Sequence, residues 1–142
     1  MGIVVQKFGG TSVADAEKIK NVADAVIKEK LNGNKVIVVV SAMGHTTDNL
    51  IKLSKEITTT PPEREMDILL STGEQVSMSL LAMAINEKGH KAVSLNAMQV
   101  GIMTEPNHCR ARITEIKQQR VRKHLDNDEI VIIAGFQGIT PD

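Results

Sequence analysis

Two hydrophobic periods alternate along the chain. Residues 3–7 (Ile3, Val4, Val5, Gln6, Lys7) read as a short, mostly apolar strand. A helix follows, with Ser12 predicted as its N-cap and Asp15 three positions on in a capping-box-like pairing. Its apolar residues Ile19, Val22, Ala23, Val26 and Ile27 recur at i, i+3, i+4, i+7, i+8, which places them on one face, and Gly33 ends it. "KVIVVVS" is then a continuous β-branched run, the pattern of a strand covered on both faces.

The rhythm repeats downstream. "GHTTDNLIKLSKEI" predicts a loop feeding a helix, and "TTTPPERE" predicts a loop whose Pro61-Pro62 can start the next one. "MDILLSTGEQVSMSLLAMAINEKG" is helical in pattern, with an interruption expected at Ser71-Thr72-Gly73 and a stop at Gly89. "KAVSLN" predicts a third strand, and Gly101 with its apolar neighbours an irregular strand or hairpin over 97–105. A helix over 118–125 leads into "EIVIIAGFQG", the fourth strong strand. This order predicts an α/β fold: a three-layer sandwich with a mostly parallel central sheet and right-handed crossovers. No internal repeat or low-complexity segment interrupts it.

Composition narrows the function classes. At 142 residues the chain has the length of one domain, and its 17 Lys+Arg balance 17 Asp+Glu. That zero net charge supplies no bulk field for nucleic acid or an anionic membrane. With no Trp or Tyr and only Phe8 and Phe136, a base-stacking platform is not expected either. No continuous apolar run reaches the ~18 residues of a membrane span, and the one cysteine, Cys109, cannot form an internal disulfide. The expectation is a cytoplasmic globular domain with no nucleic-acid or membrane partner.

In open α/β sheets, ligands gather beyond the carboxyl ends of the strands. Those ends are "KFGGTS", "SAMGHTT", "NAMQVG" and "GFQG". In the first, Gly9 and Gly10 let backbone N–H groups approach an anion, a helix beginning near Ser12 would add its positive end, and Lys7 supplies a full charge. A tight turn with a solvated lysine explains the same residues about equally well. The lysine precedes the glycines, so this is not a G-x-x-x-x-G-K-[ST] loop, and no G-x-G-x-x-G is present. Ser41 and Thr47 carry hydroxyls suited to an anion, although caps and turns use the same residues. Glu74 could accept an ammonium if the break at Gly73 turned a helix N-terminus toward a ligand; a first-turn dipole partner is the plainer reading. His45 reads as a surface histidine. Met66, Met78, Met83, Met98 and Met103 read as core filler, and Cys109, between His108 and Arg110, as a thiol whose pKa cations could lower. No spacing of His, Cys and carboxylates suggests a structural metal.

Taken together, "KFGGTSV", "VVVSAMGHTT", "LLSTGEQVS" and "AGFQGIT" resemble, in order and spacing, the N-terminal part of aspartate kinases of the amino acid kinase superfamily, from Ile3 to Asp142. The resemblance implies the amino acid kinase (carbamate kinase-like) fold, truncated. It also implies ATP-dependent phosphorylation of the L-aspartate β-carboxylate to 4-phospho-L-aspartate, at the head of lysine, threonine and methionine synthesis. ATP and Mg²⁺ are the implied cofactors and L-aspartate the substrate. By position, Lys7 is expected to neutralise the transferring phosphate as the catalytic residue. Phe8, Gly9, Gly10 and Ser41 are expected on the nucleotide side, and Thr47 and Glu74 on the aspartate side, with Glu74 receiving the ammonium. The chain departs from the family's T-G-x-Q stretch at Asn96-Ala97-Met98-Gln99, which argues against a ligand role there. Residues 1–142 correspond to the N-terminal lobe, and the nucleotide-binding half and ACT regulatory domains that the family carries are not in this sequence. The lobe alone is expected to be inactive, and its exposed sheet to favour a homo-oligomer. The alternative is a standalone non-catalytic lobe that binds aspartate or pairs with another chain.

Overall fold

The computed structural model describes residues 1–141. Four strands, β1 (Ile3–Phe8), β2 (Lys35–Val40), β3 (Ala92–Leu95) and β6 (Ile130–Ala134), form a fully parallel sheet in the order β1-β2-β6-β3. Its register aligns the carboxyl ends: Phe8 pairs with Val40, Val40 with Ala134, and Leu95 with Ile133. Two short antiparallel strands, β4 (Ile102–Thr104) and β5 (Ile113–Ile116), make a separate hairpin.

Alternation along the strands sorts side chains into two cores. Val36, Val38 and Val40 of β2, with Ile130, Ile132 and Ala134 of β6, face α1 (Ala16–Leu31) and α3 (Glu63–Glu87). Helix α1 presents the five predicted residues, Ile19, Val22, Ala23, Val26 and Ile27, and all five are buried. On the opposite face, Val131 of β6 packs with Leu95, Val100, Val121 and Leu125, brought by β3, α4 (Ala97–Val100) and α5 (Gln119–Asp126). Three layers result, as expected, and fully burying a Val, Leu or Ile side chain contributes roughly 1.5–3 kcal/mol. α2 (Thr46–Ile57) buries no residue completely and rests on α3.

Several elements differ from expectation. Asp15, not Ser12, caps α1, accepting the Lys18 N–H at 2.8 Å. Fully buried Val13 sits in a run of turns and a bend over 11–14, and the Ser12 N–H closes back on the Gly9 carbonyl at 3.1 Å. Helix α3 runs unbroken through Ser71-Thr72-Gly73 for 25 residues. Among the described residues it is the one helix long and apolar enough, by length and composition, to cross a membrane, with a mean hydropathy of 1.4 in its best window. That property escapes a search for continuous apolar runs; here Met78, Leu81, Ala82 and Ile85 of the helix are buried in the first core. Of the methionines expected in the core, Met78 is buried but Met83 and Met98 are largely exposed. Strand β5, every residue exposed, was not anticipated. The 97–105 region resolves into α4, a left-handed Gly101 (φ +83°) and β4.

Candidate functional site

The strand order makes neighbours of the turns after β1, β2 and β6, and leaves the end of β3 beyond β6. Three of the four expected ligand loops therefore gather. At the fourth, Asn96 and Gln99 close a reciprocal capping box, each side-chain oxygen accepting the other residue's backbone N–H at 2.9 and 3.0 Å. Their acceptor oxygens serve the fold, as the departure from the family pattern suggested.

After β1 the two glycines have different duties. A Cβ on Gly10 would stand 2.9 Å from the Ala42 carbonyl oxygen, so glycine permits this turn to lie on the turn after β2, and the Gly44 N–H seals it by donating to the Gly10 carbonyl at 3.0 Å. A Cβ on Gly9 would meet nothing within 4 Å, and Gly9 faces open space. Neither the Gly9 nor the Gly10 N–H donates to a backbone carbonyl among the described residues. Two amides unused by backbone carbonyls, in a turn that carries no side chains, fit an anion such as a phosphate. The helix end expected to assist them sits farther along the chain and already holds the Asp15 carboxylate, so the amides and Lys7 must supply the positive potential. Lys7 is exposed, and among the described residues no carboxylate pairs with it. Phe8 beside it is half-buried, packed against the first core.

After β2, the Ser41 N–H extends the sheet by donating to the Phe8 carbonyl at 3.1 Å. The Ser41 carbonyl accepts the hydroxyl of fully buried Ser77 at 2.6 Å, which fastens α3 beneath this turn. Gly73 completes the contact: its missing Cβ would lie 2.9 Å from the Ala42 Cβ and 3.5 Å from Thr46 Cγ2. Helix α2 starts there, so Thr47 enters on its first turn, half-buried.

Glu74 is thus presented from the middle of a continuous helix, not from a helix N-terminus. Only 7% of it is exposed. Burial pushes its carboxyl pKa up; its own backbone N–H, the Gln137 side-chain amide and the Ala42 backbone N–H oppose that rise. No lysine or arginine pairs with it among the described residues. Gln137, in the turn after β6, also donates its amide to the Ser71 carbonyl at 2.6 Å. It belongs to the site although the sequence assigned it no role. Next to it Phe136 is 96% exposed and holds a left-handed backbone (φ +58°), unusual for a residue with a Cβ.

The site unites a bare glycine turn, a lysine, hydroxyls and a buried carboxylate lacking a cation. In comparison with known proteins, the amino acid kinase family matches residues 2–142. The chain belongs to the amino acid kinase family. Among its relatives are an aspartokinase of Bacillus sp. (strain MGA3), 60% identical over 139 residues, and one of Geobacillus stearothermophilus, 61% identical over 140. These alignments take in 98% and 99% of this chain but 34% of each relative, so the chain spans about a third of the length of the curated relatives it matches. Aspartate kinase from Synechocystis superposes with a TM-score of 0.81 at 48% identity, over 96% of this chain and 22% of that one. E. coli aspartokinase III, solved with aspartate and ADP, shares the fold with a TM-score of 0.84 at 23% identity, over 98% of this chain and 42% of that one. The predicted carbamate kinase-like fold is likewise found, since a Giardia lamblia carbamate kinase superposes at 0.72.

Two features outside this candidate site correct or complete the sequence reading. The Cys109 thiol is exposed, and its pKa is raised rather than lowered: desolvation, then a hydrogen bond to Asp67 and the charges of Asp67 and Glu63, push it up, against a smaller opposing effect of Arg110. His45 is exposed, as expected, with Asp48 Oδ2 3.4 Å from its Nδ1.

Proposed function

We propose that this chain is the acceptor-side lobe of an aspartokinase, which transfers the γ-phosphoryl group of ATP to the β-carboxylate of L-aspartate and yields 4-phospho-L-aspartate for lysine, threonine and methionine synthesis. The observation that carries the reading is Glu74. A carboxylate 7% exposed, with no lysine or arginine paired to it among the described residues, invites a cation from a ligand, and the α-ammonium of an amino acid has that chemistry. The relatives named aspartokinase, and the aspartokinase III complex with aspartate and ADP, support aspartate as that amino acid and ATP as its partner.

In this reading the free amides of Gly9 and Gly10 and the ammonium of Lys7 receive phosphoryl oxygens, while Ser41 serves the nucleotide side. Thr47 and Glu74 orient aspartate. A side-chain carboxylate with an unperturbed pKa of about 3.9 is already ionised at neutral pH, so the nucleophile needs no general base. The difficulty is bringing two anions together, and positioning with fixed positive charge does that work. Among the described residues no cluster of three or more His, Cys, Asp or Glu is arranged to hold a metal ion, and no step is assigned to Mg²⁺. A nucleotide-binding half and regulatory domains beyond this lobe, and a cytoplasmic location, belong to the same proposal.

Calorimetric titration of the chain with L-aspartate, then with Mg-ATP, tests it. Saturable aspartate heat that disappears in Glu74→Ala is the expected result. Aspartate heat unchanged in Glu74→Ala overturns the assigned role. Aspartate binding without any phosphoryl transfer, even when the remainder of a relative is supplied in trans, favours the non-catalytic lobe.

A further inference from the structure

The β4–β5 hairpin is anchored at both ends to one face of α3. At its tip, Asp67 Oδ2 lies 2.9 Å from His108 Nδ1, and the Cys109 backbone N–H is 3.2 Å from each Asp67 oxygen. The Cys109 thiol adds a contact to Oδ1 at 3.4 Å. One carboxylate thus gathers three donors from two consecutive residues. Cys109 also holds a left-handed backbone (φ +61°), strain that a residue with a Cβ tolerates only where its surroundings impose it.

At the other end, β4 pairs with the segment after β6. The Thr104 N–H donates to the Ile139 carbonyl and the Ile139 N–H to the Ile102 carbonyl, both at 2.8 Å. The approach is close enough that a Cβ on Gly138 would fall 2.1 Å from Thr104 Cγ2. Two residues before Ile139 stands Gln137, whose amide donates to the Ser71 carbonyl at 2.6 Å, three residues before Glu74 on the same helix, and helps to hold the Glu74 carboxyl pKa down against burial. Asp67, Ser71 and Glu74 sit at i, i+4 and i+7 of α3, on one face. The path from Asp67 through the hairpin tip, β4, Ile139 and Gln137 therefore returns to the helix it left. Strand β5 is exposed at every position, so it contributes no core of its own to fix the hairpin.

We propose that Asp67 is a positioning residue for the acceptor pocket: by clasping the hairpin tip at His108 and Cys109 it sets the hairpin, and through Ile139 it holds Gln137 against Glu74. The meaning for catalysis rests on Glu74 being the ammonium site, but the coupling itself exists without any ligand. Its test is accordingly run on the ligand-free chain.

Two readouts are followed by NMR in wild type, Asp67→Ala, Asp67→Asn and His108→Ala: amide exchange at Cys109, and the Glu74 carboxyl titration together with the Gln137 side-chain amide resonances. Loss of a hydrogen bond to a charged acceptor is expected to speed exchange at Cys109 about tenfold in Asp67→Ala. The Glu74 midpoint is expected to move up as Gln137 withdraws, and the Gln137 amide resonances to shift. Asp67→Asn, which keeps an acceptor for the Cys109 N–H, should restore part of both effects. Should Asp67→Ala fail to fold, His108→Ala, which removes one exposed tip donor, decides by the same two readouts with smaller changes in the same direction. Faster exchange at Cys109 with Glu74 and Gln137 unmoved would reduce the clasp to a local tip contact and overturn the proposal. Aspartate binding does not enter these measurements, so their failure and the failure of the aspartokinase reading are told apart.

Discussion

Gly73 lies so close to Ala42 that a Cβ added to it would stand 2.9 Å from the Ala42 Cβ. Within α3 alone, Gly73→Ala should stabilise by about 1 kcal/mol. The contact reverses the sign, because the neighbour is a short side chain with no rotamer to move and overpacking of this kind costs about 1–3 kcal/mol. The expected outcome is net destabilisation in urea unfolding, with weakened aspartate binding as Glu74 is displaced next door. A Gly73→Ala chain more stable than wild type would show that α3 and the turn after β2 can separate freely there.

Ser77 makes the next prediction. Its hydroxyl is fully buried, donates to the Ser41 carbonyl at 2.6 Å and lies 3.1 Å from the Glu74 carbonyl. Ser77→Ala leaves the Ser41 carbonyl without that donor beneath the turn, at a cost of about 1–3 kcal/mol. Ser77→Cys, similar in size with a weak donor, should fall between the two. Equal stability of Ser77→Ala and wild type would mean that water or another donor replaces the bond.

How far the sequence carried these residues depends on where their reasons lie. Helix α1 was legible because its buried residues recur on a regular period, and strand β2 because a continuous β-branched run suits a strand packed on both faces. The break expected at Gly73 was wrong because its reason is Ala42, remote in sequence, which no local propensity registers. Ser12 matched a capping signature, but buried Val13 moved the cap to Asp15. Strand β5 is exposed along its whole length and so carries no alternation to read. Gln137 escaped for another reason: an uncharged side chain gives no sign of a partner 66 residues away, and only the fold brings it to Ser71.

Strand β1 is an edge of the main sheet, and its Ile3 and Val5 are 50% and 61% exposed on the face opposite α1. An unpaired edge with exposed apolar residues is a template for association. If the chain forms a homo-oligomer through this strand, Val5→Lys should lower its apparent mass in light scattering at high concentration without lowering its Tm. Oligomers that persist in Val5→Lys would direct attention to the exposed Val76, Leu80 and Met83 of α3.

Glu74 should show a conflict between stability and binding. Its folded-state pKa lies above the ordinary 4.5, with burial the leading cause, so between 4.5 and the raised value the folded chain holds a proton that the unfolded chain has released. Stability tied to this group is therefore complete below 4.5 and is lost as the pH rises through the raised value. Glu74→Gln keeps the shape and removes the titration. Unfolding free energies measured from about pH 4 to about pH 8 should coincide for the two chains at the acid end and diverge upward, with the Gln chain the more stable at neutral pH. The same substitution should abolish aspartate binding, because the buried negative charge is what the ammonium neutralises. A pH-independent difference between the chains would show that the carboxylate is well solvated when the pocket is empty, and would remove the electrostatic argument for a cationic ligand.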